Sequence, residues 1–428
     1  MNIKEYKEKL FKSDTRKRLI ENFLSLSVLQ IANYILPLIT LPYLVRVLGP
    51  EKFGLIAFSQ AFIGYFMILT DYGFNLSATR DISINREDRE KVSEIFSSVM
   101  IIKLALMIIS LILMTVILFS FEKFRKDWII YYLTFGMIVG QVLFPVWFFQ
   151  GMEKMKYITF LNILAKVIFT VAIFVFVKEA SDYLYVPLLN SLGFIIAGIL
   201  GLWIVFRDFG ISFKFASLEE LKRQLKEGWY VFISTISINF YKNNAILILG
   251  LFTNNKIVGY FIIAKKLVDM LNNIAGVISQ TIYPYVSKQI NTDYKKTMQF
   301  LKKVGLLIAF YTFVFGVILF IFSSTVIYII SGDYFNESIL CLKLMAFVPM
   351  FIGVNVPAVQ ILLGKGLDKN FSKVLLIGAI LDIILNFLIV PIFSYIGSCI
   401  SVIVVELFVT IFLYIEILKL KEVKHLEP

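Results

Sequence analysis

The run IFSSVMIIKLALMIISLILMTVILFS (95–120) is interrupted by a single charged residue, Lys103. As a helix rising 1.5 Å per residue, it covers the roughly 30 Å hydrocarbon core of a bilayer. Eleven further apolar runs repeat the pattern, at 23–48, 53–79, 128–150, 157–177, 183–206, 229–252, 257–283, 304–330, 338–363, 371–392 and 395–418. With a hydrophobic fraction of 59%, little chain is left outside them. The runs are too long for barrel strands, and backbone polar groups in lipid must pair internally. The sequence therefore predicts an all-α integral membrane protein with 12 transmembrane helices.

The net charge of +12 has a side. The N-tail, 80–94, 151–156, 207–228, 284–303, 364–373 and the C-tail hold about 29 of the Lys and Arg residues, and the alternate connections about 7. Basic connections stay in the cytoplasm, so both termini are expected there, as an even span count requires. This distribution speaks against nucleic acid as a partner, and the expected location is the plasma (inner) membrane. Cys341 and Cys399 lie in apolar runs and read as buried small residues. One histidine, His425, excludes a His-rich metal site. The first 20 residues are charged and show no cleavable signal. Ile3, Tyr6, Leu10 and Phe11 fall at helical spacing among lysines, which suits a helix on the anionic cytoplasmic leaflet or a frayed basic tail.

The expected organisation is an amphipathic cytoplasmic segment (1–22), a first lobe of six spans (23–206), a cytoplasmic linker helix (207–228), a second lobe of six spans (229–418) and a cytoplasmic tail (419–428). The linker contains SLEELKRQLKEGW (217–229), with a capping serine and leucines on one face. The halves echo each other. Leu48-Gly49 followed by Lys52-Phe53-Gly54 is matched by Leu249-Gly250 followed by Lys256-Ile257-Val258-Gly259, and Gly151-Met152-Glu153-Lys154 by Gly366-Leu367-Asp368-Lys369. Duplicated six-span halves sit the same way up and leave a central cavity, as in transporters with parallel repeats that work by alternating access.

Ionisable groups at bilayer depth cost at least a few kcal/mol unless they meet water or a partner. Span 7 carries Asn239, Tyr241, Lys242, Asn243 and Asn244 at mid-depth, and span 8 carries Lys265, Lys266 and Asp269. Lys265 and Asp269 are spaced for an ion pair, leaving Lys266 in need of water, partner or ligand. Span 11 adds Asp382 and Asn386, and span 12 adds Glu406. The first half adds Arg46, Asp71, Arg80, Lys103 and Lys166, with Gln30, Asn33 and Tyr34 in span 1. Pro37 and Pro42 are expected to bend span 1. For any one charge the alternative is an ion pair that cements the bundle, such as Lys242 with Asp382 or Glu406. Trp147 and the WIIYY stretch (128–132) read as an interfacial aromatic belt. No Walker loop, zinc spacing or nucleophile elbow occurs, so a transporter rather than an enzyme is expected.

PLITLPYLVRVLGPEKFGLIAFSQAF (37–62), TDYGFNLSATRDIS (70–83) and NREDREKVSEIFSS (85–98) resemble the start of the Wzx-type polysaccharide flippases. These belong to the MOP superfamily, with the MATE drug exporters and the lipid II flippases. FQGMEK (149–154) and LGKGLDKNFSKVLLIGAILDIILNF (363–387) match in style. The resemblance implies two six-helix lobes in a MATE-like fold. It also implies transfer of an undecaprenyl-diphosphate-linked oligosaccharide to the outer leaflet. On that reading Arg46, Lys242, Lys265, Lys266 and Arg80 meet the diphosphate, and Gln30, Asn33, Tyr34, Asn239 and Asn243 meet sugar. Asp71, Asp269, Asp382 and Glu406 set cavity charge or take up a coupling Na⁺ or H⁺. No other cofactor is expected. Partners would be membrane lipids and other glycan-assembly membrane proteins. A MATE-like cation-coupled multidrug antiporter is the alternative; a glycan polymerase would want a larger outward loop.

Overall fold

A computed structural model describes residues 14–214, 217–290 and 292–424. The expected surface helix over 3–20 falls largely outside that set, as does His425. All regular structure among the described residues is helical. Nine helical segments there are long and apolar enough to cross a membrane, the first of them 61 residues long.

That first segment, Leu24–Ile84, takes in most of α1 (Asp14–Asp71), which holds the expected span 23–48 and most of 53–79. Its helical backbone breaks at Gly49 (φ 68°, ψ 173°), not at Pro37 or Pro42. A left-handed φ comes at little steric cost to glycine, whereas each proline stays within helical backbone. The expected span 53–79 also divides. Tyr72 (φ 47°) and Gly73 (φ 78°) end it, and α2 (Phe74–Ile84) begins anew. Next come α3 (Arg89–Ser120), the short α4 (Glu122–Arg125), α5 (Trp128–Leu143), α6 (Val146–Gly151), α7 (Met155–Phe176) and α8 (Tyr185–Asp208). The later elements are α9 (Leu218–Phe252), α10 (Asn255–Gln289), α11 (Tyr294–Ile321), α12 (Ser323–Ser331), α13 (Asn336–Met345), α14 (Val348–Gly364), α15 (Asp368–Phe393) and α16 (Tyr395–Lys424). At 35 residues each, α9 and α10 are long enough to span but too polar to rank with the nine.

The chain forms two compact units. One runs to Val47 and resumes from Phe62 to Thr235; the other takes Leu48–Ala61 and the chain from Ile236 onward. The divide therefore falls inside α9, beyond the expected linker 207–228. That linker is no separate helix: from Leu218 it forms the opening turns of α9.

In the first unit, Asn22 accepts from the Met155 amide (3.2 Å), Arg86 pairs with Glu153 (3.0 Å), and the Ser93 hydroxyl accepts from the Ser212 amide (3.3 Å). Four basic connections are thereby held at one end of that unit. In the second, the Lys365 ammonium lies 4.7 Å from the Tyr294 ring centroid and Asn370 donates to Glu416 (2.6 Å), which gathers 284–303, 364–373 and the C-tail. Charge had grouped these segments before any contact was known.

Ile108, Ile112, Val116 and Phe119 make an exposed apolar stripe along α3. Such a stripe is a liability in water and the normal lipid-facing surface in a bilayer. Trp128 is exposed, as a belt residue would be, but Trp147 is not: it is fully buried, 5.5 Å from the Phe96 ring. Its helix, α6, packs on α2, where Thr79 donates to the Trp147 carbonyl (3.1 Å). Cys341 and Cys399 are free thiols, both buried.

The echoing motifs meet inside the second unit. A Cβ on Gly54 would lie 1.9 Å from the Asn255 carbonyl oxygen, and one on Gly259 would lie 1.8 Å from that of Pro50. Only glycine permits so close a backbone approach.

Candidate functional site

The embedded charges form two groups, one in each unit, and their surroundings differ. In the first unit Asp71, at the end of α1, is 3.6 Å from the Lys103 ammonium and accepts from Asn75 (2.9 Å). Lys103 is 1% exposed. Lys166 on α7 donates to Asn33 on α1. Asp71 and Asn33 thus already have structural partners. Gln30 is half-buried and Arg46 exposed.

Arg80 belongs to a larger array at the end of the unit that carries the basic connections. It pairs with Glu227 (2.8 Å) and Asp81 (3.6 Å). Arg223 bridges Asp81 (3.0 Å), Glu220 (2.6 Å) and Glu227 (2.8 Å), while Gln224 donates to Asp81 (3.2 Å). Hydrogen bonds from Arg223 hold the Glu220 carboxyl down to about 2. This latch fastens the start of α9 to α2. Sequence reading missed its centre, Asp81–Arg223. The i, i+3 and i+4 spacing of Glu220, Arg223 and Glu227 was its one visible signal.

In the second unit, α10 supplies the unusual surface. Lys265, Lys266, Asp269, Asn272, Asn273, Gly276 and Gln280 share one face; Val268, Leu271 and Ala275 are buried on another. None of the first seven is buried, and a Cβ on Gly276 would meet nothing within 4 Å. From Lys265 to Gln280 the face is about 22 Å long, most of a hydrocarbon thickness. Lys265 makes the ion pair its spacing predicts, with Asp269 at 2.7 Å. Lys266 is half-buried and has neither hydrogen-bond nor ion-pair partner among the described residues.

Asp382 on α15 is 3% exposed. It accepts from Asn386 one turn on (2.8 Å) and from Asn244 on α9 (3.2 Å). No cation lies within ion-pair distance of it among the described residues. Two amides can hydrogen-bond a carboxylate without neutralising it, so a full charge, or a proton, is left to be accommodated. Glu406 on α16 is likewise buried, at 7% exposure. The structure brings Asn244, Asp382 and Asn386 together, and Lys265 with Asp269. The side chains of Tyr34, Asn239, Lys242 and Asn243 lie outside the described residues.

Residues 19–290 match the family described as "Polysaccharide biosynthesis protein". A "Putative O-antigen transporter" of Escherichia coli strain K12 is 33% identical over 390 residues, 91% of this chain and 94% of that protein. Another of that description, from Shigella dysenteriae, is 28% identical, covering 92% and 98%. Among solved structures, the lipid II flippase MurJ in an inward closed conformation superposes with TM-score 0.72 at 14% identity, covering 93% of this chain and 87% of that one. An inward-facing multidrug resistance MATE transporter gives 0.67 at 15% identity, covering 94% and 99%. These structural likenesses carry the fold: an all-α, MOP-like, multi-pass membrane protein.

Proposed function

Because the chain belongs to the polysaccharide biosynthesis protein family, we propose that it is a flippase carrying a lipid-linked polysaccharide precursor across the membrane. The finer reading is an undecaprenyl-diphosphate-linked oligosaccharide moving from the cytoplasmic to the outer leaflet by alternating access, with both termini in the cytoplasm. The names of the O-antigen transporter relatives support the cargo class.

One observation of this chain carries the reading: the polar face of α10 with the unpartnered Lys266 on it. A face about 22 Å long cannot be presented to hydrocarbon, and a lone ammonium at that depth is kept where water or an anion reaches it. A diphosphate head group is such an anion, and it cannot cross lipid unaided. In the second unit Lys266 meets it, with Lys242 as a further cation and Lys265 held in reserve by Asp269; Arg46 is the candidate cation of the first unit. Arg80 is assigned to the latch, away from the cargo. Gln30, Tyr34, Asn239, Asn243 and Asn273 offer hydrogen bonds to sugar hydroxyls while the polyprenyl tail stays in lipid. Asp382 and Glu406 are the acids to take up a coupling H⁺ or Na⁺. A drug antiporter for cationic compounds would want an accessible, unneutralised acid, whereas on the polar face of α10 the acid, Asp269, is paired and the charge without an ion-pair partner among the described residues is Lys266.

The test is Lys266→Gln in a cell that lacks its own flippase for the same glycan. Surface glycan falls at least tenfold while the protein reaches the membrane at wild-type level. Full export by that variant would remove Lys266 from the mechanism.

A further inference from the structure

The second unit has a trough that the transport reading does not use. It lies among α11, α14 and α16, all three of them candidate spans, and encloses about 680 Å³. That volume falls in the range of small-molecule sites. Its origin is local. Pro357 has no amide hydrogen and disturbs the helical ladder of α14. Gly305 of α11 faces it without a side chain; a Cβ there would be 2.5 Å from Pro357 Cγ. Tyr414 of α16 donates across to the Val354 carbonyl at 2.8 Å and props the third wall. Met298, Leu306, Ile361 and Ile417 complete an apolar lining.

The chemistry changes at one end. Lys295 and Lys302 line the trough, are exposed, and have no ion-pair or hydrogen-bond partner among the described residues. They lie about 10 Å apart along α11. Lys365, over Tyr294, adds a third positive charge at the same end. Of the acids at that end, Glu416 is occupied by Lys419 (2.7 Å) and Asn370 (2.6 Å), and Asp293 caps α11 by accepting from the Lys296 amide (3.0 Å). This is the end at which 284–303, 364–373 and the C-tail gather, the basic side of the unit.

We propose that this trough binds an anionic phospholipid of the cytoplasmic leaflet, with its phosphate between Lys295 and Lys302 and an acyl chain over Gly305 and Pro357. An apolar wall alone would accept any lipid. The cationic mouth, where Lys295 and Lys302 have no ion-pair partner among the described residues, selects a negative head group, because surface lysines are attracted to anionic lipid. A zwitterionic lipid fills the trough equally well and gains little from the mouth. The proposal rests on the membrane fold and is independent of what the chain transports.

The full chain in detergent is titrated with phosphatidylglycerol or phosphatidylcholine of the same acyl chains, and bound lipid is counted by native mass spectrometry. Phosphatidylglycerol is expected to bind at least tenfold more tightly than phosphatidylcholine. Lys295→Gln with Lys302→Gln removes that preference. Met298→Trp, which fills the trough and keeps both lysines, weakens both lipids. Lys222→Gln with Lys226→Gln, an equal loss of exposed charge on α9, leaves the preference intact. Equal binding of the two lipids, or an undiminished preference in the 295/302 variant, overturns the proposal. So does tighter occupancy by undecaprenyl phosphate than by phosphatidylglycerol, which would give the trough to the cargo's tail. A dimer abolished by Met298→Trp would give it to a second copy, and would equally overturn it.

Discussion

The two compact units treat embedded charge in opposite ways. In the first, Lys103 finds Asp71 and Lys166 finds Asn33. In the second, Lys265 finds Asp269, but Lys266 has no ion-pair partner and Asp382 is held by two amides with no cation within ion-pair distance among the described residues. A buried pair needs no ligand, whereas a solitary charge survives at depth only where something mobile reaches it. The difference is one of pairing: the first group is satisfied within the protein, while the second leaves Lys266 and Asp382 without an ion-pair partner among the described residues.

Substitutions at three places break or sharpen that contrast. The largest effect is expected from Asp71→Ala. It strands an ammonium that is 1% exposed and costs about 3–5 kcal/mol, seen as a lower unfolding temperature and depleted membrane protein. Adding Lys103→Met restores stability to within about 1 kcal/mol, since apolar replacement of a buried pair is close to neutral. Normal glycan export by the double variant confirms cohesion; a stable double variant that cannot export would move this pair to the functional side.

Asp382→Asn comes next. The amide keeps the shape and part of the hydrogen bonding, so stability drops by only about 1 kcal/mol. Export measured in membrane vesicles falls severalfold and no longer responds to an imposed ion gradient. Unchanged gradient dependence would leave Asp382 a structural acid, like Asp71.

The smallest effect belongs to the latch. The Glu220 carboxyl is lowered to about 2 from an ordinary 4.5, so folding is favoured by its ionised form. That contribution is complete above pH 4.5 and is lost as pH falls toward 2, with no change between pH 5 and 8. After allowance for solvent screening it amounts to no more than about 2 kcal/mol. Thermal unfolding followed from pH 7 to pH 3 should decline below 4.5 in the wild type and less steeply in Glu220→Gln. Equal slopes would show that the latch is held by other members of the array.

Much of this architecture was legible residue by residue. The apolar runs, the basic connections and the Lys265–Asp269 pair all depend on local spacing, and each has its counterpart in the structure. Several features depended on distant residues and were not legible. Trp147 reads as a belt residue because it sits near the end of an apolar run, yet α6 turns inward and buries it against Phe96. The linker at 207–228 reads as separate because its composition changes, yet helical hydrogen bonding continues from Leu218 through Phe252. The echo between 48–54 and 249–259 is visible as repetition. That the two copies touch, glycine against backbone, is a fact of packing.

Composition and periodicity alone determined that this protein is a bundle of membrane helices with a basic side. Bilayer thickness and the cost of bare backbone in lipid leave few other ways to fold such a chain. They also showed which charges lie at depth, because position along a helix is position across the membrane. Only the tertiary structure decided which of those charges have partners. An ion pair such as Lys103–Asp71 joins residues from different helices, and no spacing along the chain encodes the few ångströms that separate a neutralised lysine from a solitary one.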